Sequence, residues 1–201
     1  MIITKLDYKL SFLIGTLIGV LLLPILFILD ISFPYRVAIV FFAPFFAIPL
    51  GLLFGNFLQS YFGIGARFSK YAASGILSFA IDFATLNILS YYTGITAGLT
   101  IGWINLPGFL LALTNAYLWN KLWVFYKNDG SGIFTHLPRF LFVVFVGLII
   151  NSSIVIFMST NIAPPHQAFT EQRWLNVAKI IASAVAVMWN FFGYKFIAFK
   201  N

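Results

Sequence analysis

Long apolar runs broken by short charged punctuation set the organisation of this chain. Residues 10–29 form one uninterrupted apolar stretch after Lys5, Asp7 and Lys9, and residues 37–66 form a second. Between Lys70 and Lys121 the only charge is Asp82. A helix crosses a bilayer with about 20 apolar residues. That interval therefore holds two spans, with "YYTGITAG" (91–98) as their turn, because glycines and threonines cluster there. Residues 140–159 predict a fifth span, and a sixth runs from about Asn176 to Phe196, after a loop containing "APPHQ". Pro44 and Pro49 are expected to kink the second span. The predicted fold is all-α: a polytopic membrane bundle of six transmembrane helices.

Composition agrees with that count. The chain is 61% hydrophobic and 8% charged, whereas a soluble domain carries roughly 25% charged residues. Residues 10–29 are too long and lack the small-residue cleavage site for a secretory signal, so they are expected to stay as a helix. The net charge of +7 lies in short loops and argues for membrane topology and anionic lipid rather than nucleic acid. Lys5, Lys9, Arg67, Lys70, Lys121, Lys127, Arg139, Lys195 and Lys200 fall on one side of a six-span layout, against Arg36, Arg173 and Lys179 on the other. The positive-inside rule then places both termini in the cytoplasm. "NSS" (151–153) matches a glycosylation acceptor but lies inside a span. There is no cysteine, so disulfides and thiolate metal sites are excluded.

Two helix pairs repeat. "RFSKYAASG" (67–75) and "RFLFVVFVG" (139–147) share Arg-Phe and a glycine eight residues after the arginine. "NKLWVFYKN" (120–128) and "YKFIAFKN" (194–201) close a span in the same manner. The offsets, 72 and 74 residues, span a helix pair, so the units run parallel, and transporter sites often lie where such repeats meet. Asp82 lies about 18 Å along its helix from Lys70, and Lys179 about 24 Å from Lys195, at 1.5 Å per residue. In a hydrocarbon core about 30 Å thick, both pass the midplane. Charges there face a partner or a wet cavity, so Asp82 and Lys179 are expected to form a buried opposite-charge pair. Lys70, Ser74, Ser78, Asp82 and Thr85 make one polar stripe. Lys179, Ser183 and Asn190 make another, and Asn115 and Asn151 add hydrogen-bonding groups. A polar seam inside the bundle follows.

Residues from about 65 to 200 resemble the GtrA-like family of small multispan proteins. Arg67-Phe68, Gly75 and "IDF" (81–83) mark its first helix, and "TNAYLWNKLWVF" (114–125) is the strongest mark. "VAKIIAS" (177–183) and "WNFFGYKFIAF" (189–199) match its last helix. Tyr194 and Ile197 depart from the pattern, and residues 1–62 add two helices to the family's usual four, giving domains 1–62 and 63–201. The resemblance implies translocation of a polyprenyl-phosphate-linked sugar for glycosylation of surface polysaccharide. Alternatively, it implies a non-catalytic anchor or partner subunit of a membrane glycosyltransferase.

Under the first reading Lys179 meets the lipid phosphate, with Asp82 as its resting partner; a purely structural ion pair is the alternative. Arg67, Lys70, Lys121, Arg139 and Lys195 form a basic rim that draws in phosphate or only sets orientation. Trp119 and Trp123 stack on sugar or belong to the interfacial aromatic belt. Asn115, Asn120 and Asn190 complete the candidate substrate-binding set. A cation exporter using Asp82 is disfavoured by Lys179, which would repel its cargo. His136 and His166 read as loop residues. No enzyme chemistry, metal or cofactor is expected; membrane lipids are expected partners, and a homodimer would widen a thin path.

Overall fold

A computed structural model describes residues 3–63, 65–124, 137–164 and 170–193. Among the described residues six α-helices follow one another: α1 (Lys5–Ile28), α2 (Arg36–Phe62), α3 (Gly65–Thr93), α4 (Leu99–Trp119), α5 (Leu137–Asn161) and α6 (Glu171–Gly193). A π-helical turn, Asn120–Val124, extends α4, and no strand occurs among the described residues. Helices α1 to α5 contain segments long and apolar enough to cross a membrane. Helix α6 is not among them. Its first half carries Glu171, Gln172, Arg173, Asn176 and Lys179, which lowers its apolarity; the sequence reading starts the sixth span at about Asn176, with Lys179 already inside it. Residues 194–196, the rest of that expected span, lie outside the described residues.

Polarity is inverted relative to a water-soluble protein. Lys70, Lys179, Asp7, Asp82, Asn105 and Asn151 are buried, while Trp103, Leu99, Phe68 and much of α2 are exposed. An aqueous fold exposing that much apolar surface would aggregate. In a bilayer the arrangement is the favourable one, because hydrocarbon cannot satisfy polar groups. The chain is therefore a multi-pass helical membrane protein.

The chain divides into two compact units, residues 1–88 with 110–126, and residues 89–109 with 127–201. In the first, α1 and α2 form a tight hairpin. A Cβ on Gly15 would lie 2.5 Å from the Pro44 carbonyl oxygen, and one on Gly19 would lie 2.7 Å from that of Phe41. Small residues four apart allow this backbone approach, from which dispersion gains most when no hydrophobic effect drives helices together. Pro44 and Pro49 sit inside a continuous α2. Gly63, in the left-handed region at φ 70°, turns the chain into α3. Gln59 braces that turn, donating to the Gly63 carbonyl at 2.6 Å and accepting from the Ala66 N–H at 3.0 Å. Ile14, Ile18, Leu52, Ala73 and Leu77 share one apolar cluster with Trp123 and Val124.

In the second unit α5 and α6 pack along each other. The Trp174 indole N–H donates to the Ile162 carbonyl at 2.8 Å, and that of Trp189 donates to Val143 at 2.9 Å. The turn after α3 is the expected one. Gly94 and Gly98 both have positive φ, and the Gly98 N–H donates to Thr160 at 2.7 Å.

Gly15→Ala is expected to push α1 off α2 and cost about 1–3 kcal/mol. Gly51→Ala, where a Cβ meets nothing within 4 Å, is expected to be neutral or to gain about 0.5–1 kcal/mol of helix propensity. Thermal unfolding in mild detergent separates the two; equal behaviour would show that the hairpin does not depend on that backbone contact.

Candidate functional site

Local sequence places one carboxylate at the start of α1. Thr4 caps the helix and Asp7 closes the capping box: the Asp7 N–H donates to Thr4 Oγ1 at 3.3 Å, and Asp7 Oδ2 accepts from the Thr4 N–H at 2.7 Å and its hydroxyl at 2.9 Å. Asp7 Oδ1 faces the rest of the first unit. It accepts from the Lys70 ammonium at 2.6 Å and from the Trp123 indole N–H at 2.8 Å. Lys70 is 2% exposed and Trp123 6%. The ammonium also sits 5.6 Å from the Trp123 ring centroid, a cation–π distance. Three helical segments are stitched by one carboxylate.

Lys70 is expected both at the foot of the polar stripe on its helix and on a basic rim; it is buried, as the stripe requires. For Trp123, expected to stack on sugar or to join the interfacial aromatic belt, the indole meets Asp7 and Lys70 instead. Arg67 is exposed, as a rim residue would be. The side chains of Lys121, Arg139 and Asn190, and all of Lys195, His136 and His166, lie outside the described residues.

The stripe on α3 is buried, as its spacing predicts. Ser74, Ser78 and Asp82 are all buried, Asp82 at 6%. Ser78 donates to the Ser74 carbonyl at 2.9 Å and accepts from Asn115 Nδ2 at 2.9 Å, so Asn115 ties α4 to this stripe. Asn120 lies on the π-helical turn, and its buried Oδ1 has no hydrogen-bond partner. Trp119 packs edge-to-face on Trp123 at 5.3 Å.

The second unit buries a second lysine. Lys179, on α6, is 0% exposed. Its ammonium donates to Asn105 Oδ1 at 2.6 Å and to Asn151 Oδ1 at 3.2 Å. Asn105 Nδ2 in turn donates to Asn151 Oδ1 at 3.0 Å and to Ser152 Oγ at 3.1 Å. Three helices, α4, α5 and α6, thus bring one cation, two amides and a hydroxyl to one point. Ser183, one turn along α6 from Lys179, has a buried hydroxyl without a hydrogen-bond partner. Asp82 and Lys179, paired in the sequence reading, belong to the first and second unit respectively.

A buried ammonium in a membrane protein is costly unless protein oxygens replace its water. At Lys179 the amide oxygens of Asn105 and Asn151 take that role. Asn105 and Ser152 were not among the sequence candidates. Asn105 had a signal, as a lone amide in the apolar run "IGWINLPGF", but asparagine inside a span is less conspicuous than a charge. Asn151 carries these contacts inside α5 and is buried, which suits a site residue and not a glycosylation acceptor. Among the described residues no three His, Asp or Glu side chains gather in a way that could hold a metal.

A family model described as "GtrA/DPMS, transmembrane domain" matches residues 70–199. No curated protein and no solved structure matches the chain significantly.

Asp7→Ala would leave the Lys70 ammonium and the Trp123 N–H buried without their acceptor, at a cost of about 3–5 kcal/mol. The double substitution Asp7→Leu with Lys70→Met is expected to recover most of it. Denaturation in mild detergent measures both; a single variant as stable as the parent would show that the pair contributes nothing.

Proposed function

The chain belongs to the GtrA/DPMS transmembrane-domain family, and from that premise we propose that it moves a polyprenyl-phosphate-linked sugar across the cytoplasmic membrane for glycosylation of surface polysaccharide. The observation that carries the reading is the buried Lys179 ammonium with Asn105, Asn151 and Ser152 around it. A lipid-linked sugar has a tail that belongs in hydrocarbon, a phosphodiester with one negative charge, and hydroxyls that lose water partners on entering the membrane. The headgroup crosses only where fixed groups replace that water. Lys179 supplies the charge for the phosphodiester.

The asparagines supply groups of both polarities. Each amide carries an acceptor oxygen and two donor hydrogens, so a half-turn of its side chain exchanges one for the other. At rest both oxygens serve Lys179. When a phosphate oxygen takes the ammonium, the amides are released to meet sugar hydroxyls, and Ser152 and Ser183 add acceptors and donors. No bond is made or broken, so the role is non-catalytic. Arg67, with Lys121, Arg139 and Lys195 at corresponding basic ends, gathers the phosphate at the membrane surface. In this orientation the more basic loops and both termini face the cytoplasm.

Lys179→Gln and Asn105→Leu are each expected to slow transbilayer movement of labelled glycosyl lipid in reconstituted vesicles about tenfold to a hundredfold, since a hydrogen bond to a charged group contributes about 1.5–3 kcal/mol. Lys179→Arg should retain more activity than Lys179→Gln. Asp82 enters through its expected coupling to Lys179, and a double-mutant cycle on the two measures it; additive losses would remove Asp82 from the mechanism. Movement at the parental rate in both Lys179→Gln and Asn105→Leu would sink the flippase reading. Recovery of a glycosyltransferase with the purified chain would then favour the anchoring role.

A further inference from the structure

We propose that Lys70 and Trp123 form an anion site that this chain fills with its own Asp7, and that the phosphate of an anionic phospholipid from the surrounding bilayer competes for it. The two donors converge on a single oxygen, Asp7 Oδ1, from 2.6 and 2.8 Å. One ammonium and one indole N–H on one oxygen is also how a phosphate oxygen would be held, with the charged donor giving the strong contact. Asp7 Oδ2 takes no part, because Thr4 holds it. Both donors fall within the stretch 70–199 that the family model matches, whereas Asp7 falls outside it. The anion-binding donors therefore belong to the family domain, and the carboxylate belongs to the added helical hairpin.

The location suits lipid phosphate. Asp7 lies in the first turns of α1, Lys70 near the start of α3, and Trp123 in the turn that ends α4. Helix ends meet the headgroup layer. Lys5, Lys9 and Arg67, all exposed, surround this end of the first unit and concentrate anionic lipid there. Displacing Asp7 requires only the first turn of α1 to open, and helix ends open at the least free energy. The carboxylate thus holds α1 against α3 until an anionic lipid takes its place. The inference does not depend on flipping, and its readout is lipid retention.

The test uses the full chain in mild detergent, incubated with phosphatidylglycerol or phosphatidylcholine, with retained lipid counted by native mass spectrometry. Asp7→Asn keeps the shape and removes the competing charge. It is expected to retain about fivefold more phosphatidylglycerol than the parent, the worth of one freed cation near an anionic surface, and no more phosphatidylcholine. Adding Lys70→Gln should abolish the gain. Asp30→Asn makes the same charge change elsewhere and should leave retention at the parental level. Should Asp7→Asn unfold in phosphatidylcholine, phosphatidylglycerol is expected to restore it. No gain in Asp7→Asn, an equal gain in Asp30→Asn, a gain surviving Lys70→Gln, or unfolding in both lipids would each overturn the proposal.

Discussion

An ammonium cannot be left bare in hydrocarbon, and each unit of this protein is built around one. In the first unit the answer to Lys70 is a carboxylate, with an indole N–H sharing the same oxygen. In the second, amide oxygens receive Lys179. The carboxylate joins α1, α3 and the turn that ends α4; the amides join α4, α5 and α6.

The apolar residues follow from the same constraint. Once polar groups turn inward, the outer surface is left to residues that lipid tolerates, and α2 is the clearest case. Much of it is exposed, and it holds to α1 through backbone contact at Gly15 and Gly19 together with side-chain packing such as Phe12 on Phe45. Hydrocarbon outside is as apolar as a leucine inside, so close packing and polar contacts must hold the helices. The buried serines of α3 illustrate the polar share. Ser78 bonds its own helix and also accepts from Asn115 on α4.

The hairpin of α1 and α2 changes in meaning once the contacts are known. By sequence it is an addition ahead of the family domain. In the structure α1 supplies the carboxylate that Lys70 and Trp123 require, and its isoleucines share a core with Trp123 and Val124. The π-helical turn matters here, because a wider turn changes the direction of side chains relative to a regular helix, and Trp123 sits within it.

Much of this architecture was legible in the chain. Gaps between charges located the helices, because no span tolerates many charges. The four-residue spacing of Ser74, Ser78 and Asp82 announced a buried stripe, because helical periodicity is local. Lys179 stood out for the same reason. What the chain alone did not reveal was the identity of the partners. Asp7 is flanked by Lys5 and Lys9 and completes a capping box with Thr4, so its local role masked a contact 63 residues away with Lys70 and another 116 away with Trp123. Lys70 read both as the foot of the α3 stripe and as a rim residue, and Trp123 as sugar-stacking or interfacial, because composition cannot distinguish a helix end in headgroups from one covered by another helix. Asn105 and Ser152 became site residues only when three helices met. Sequence determines which residues a membrane helix must hide; only tertiary packing decides what they are hidden against, since that depends on helices far apart in the chain.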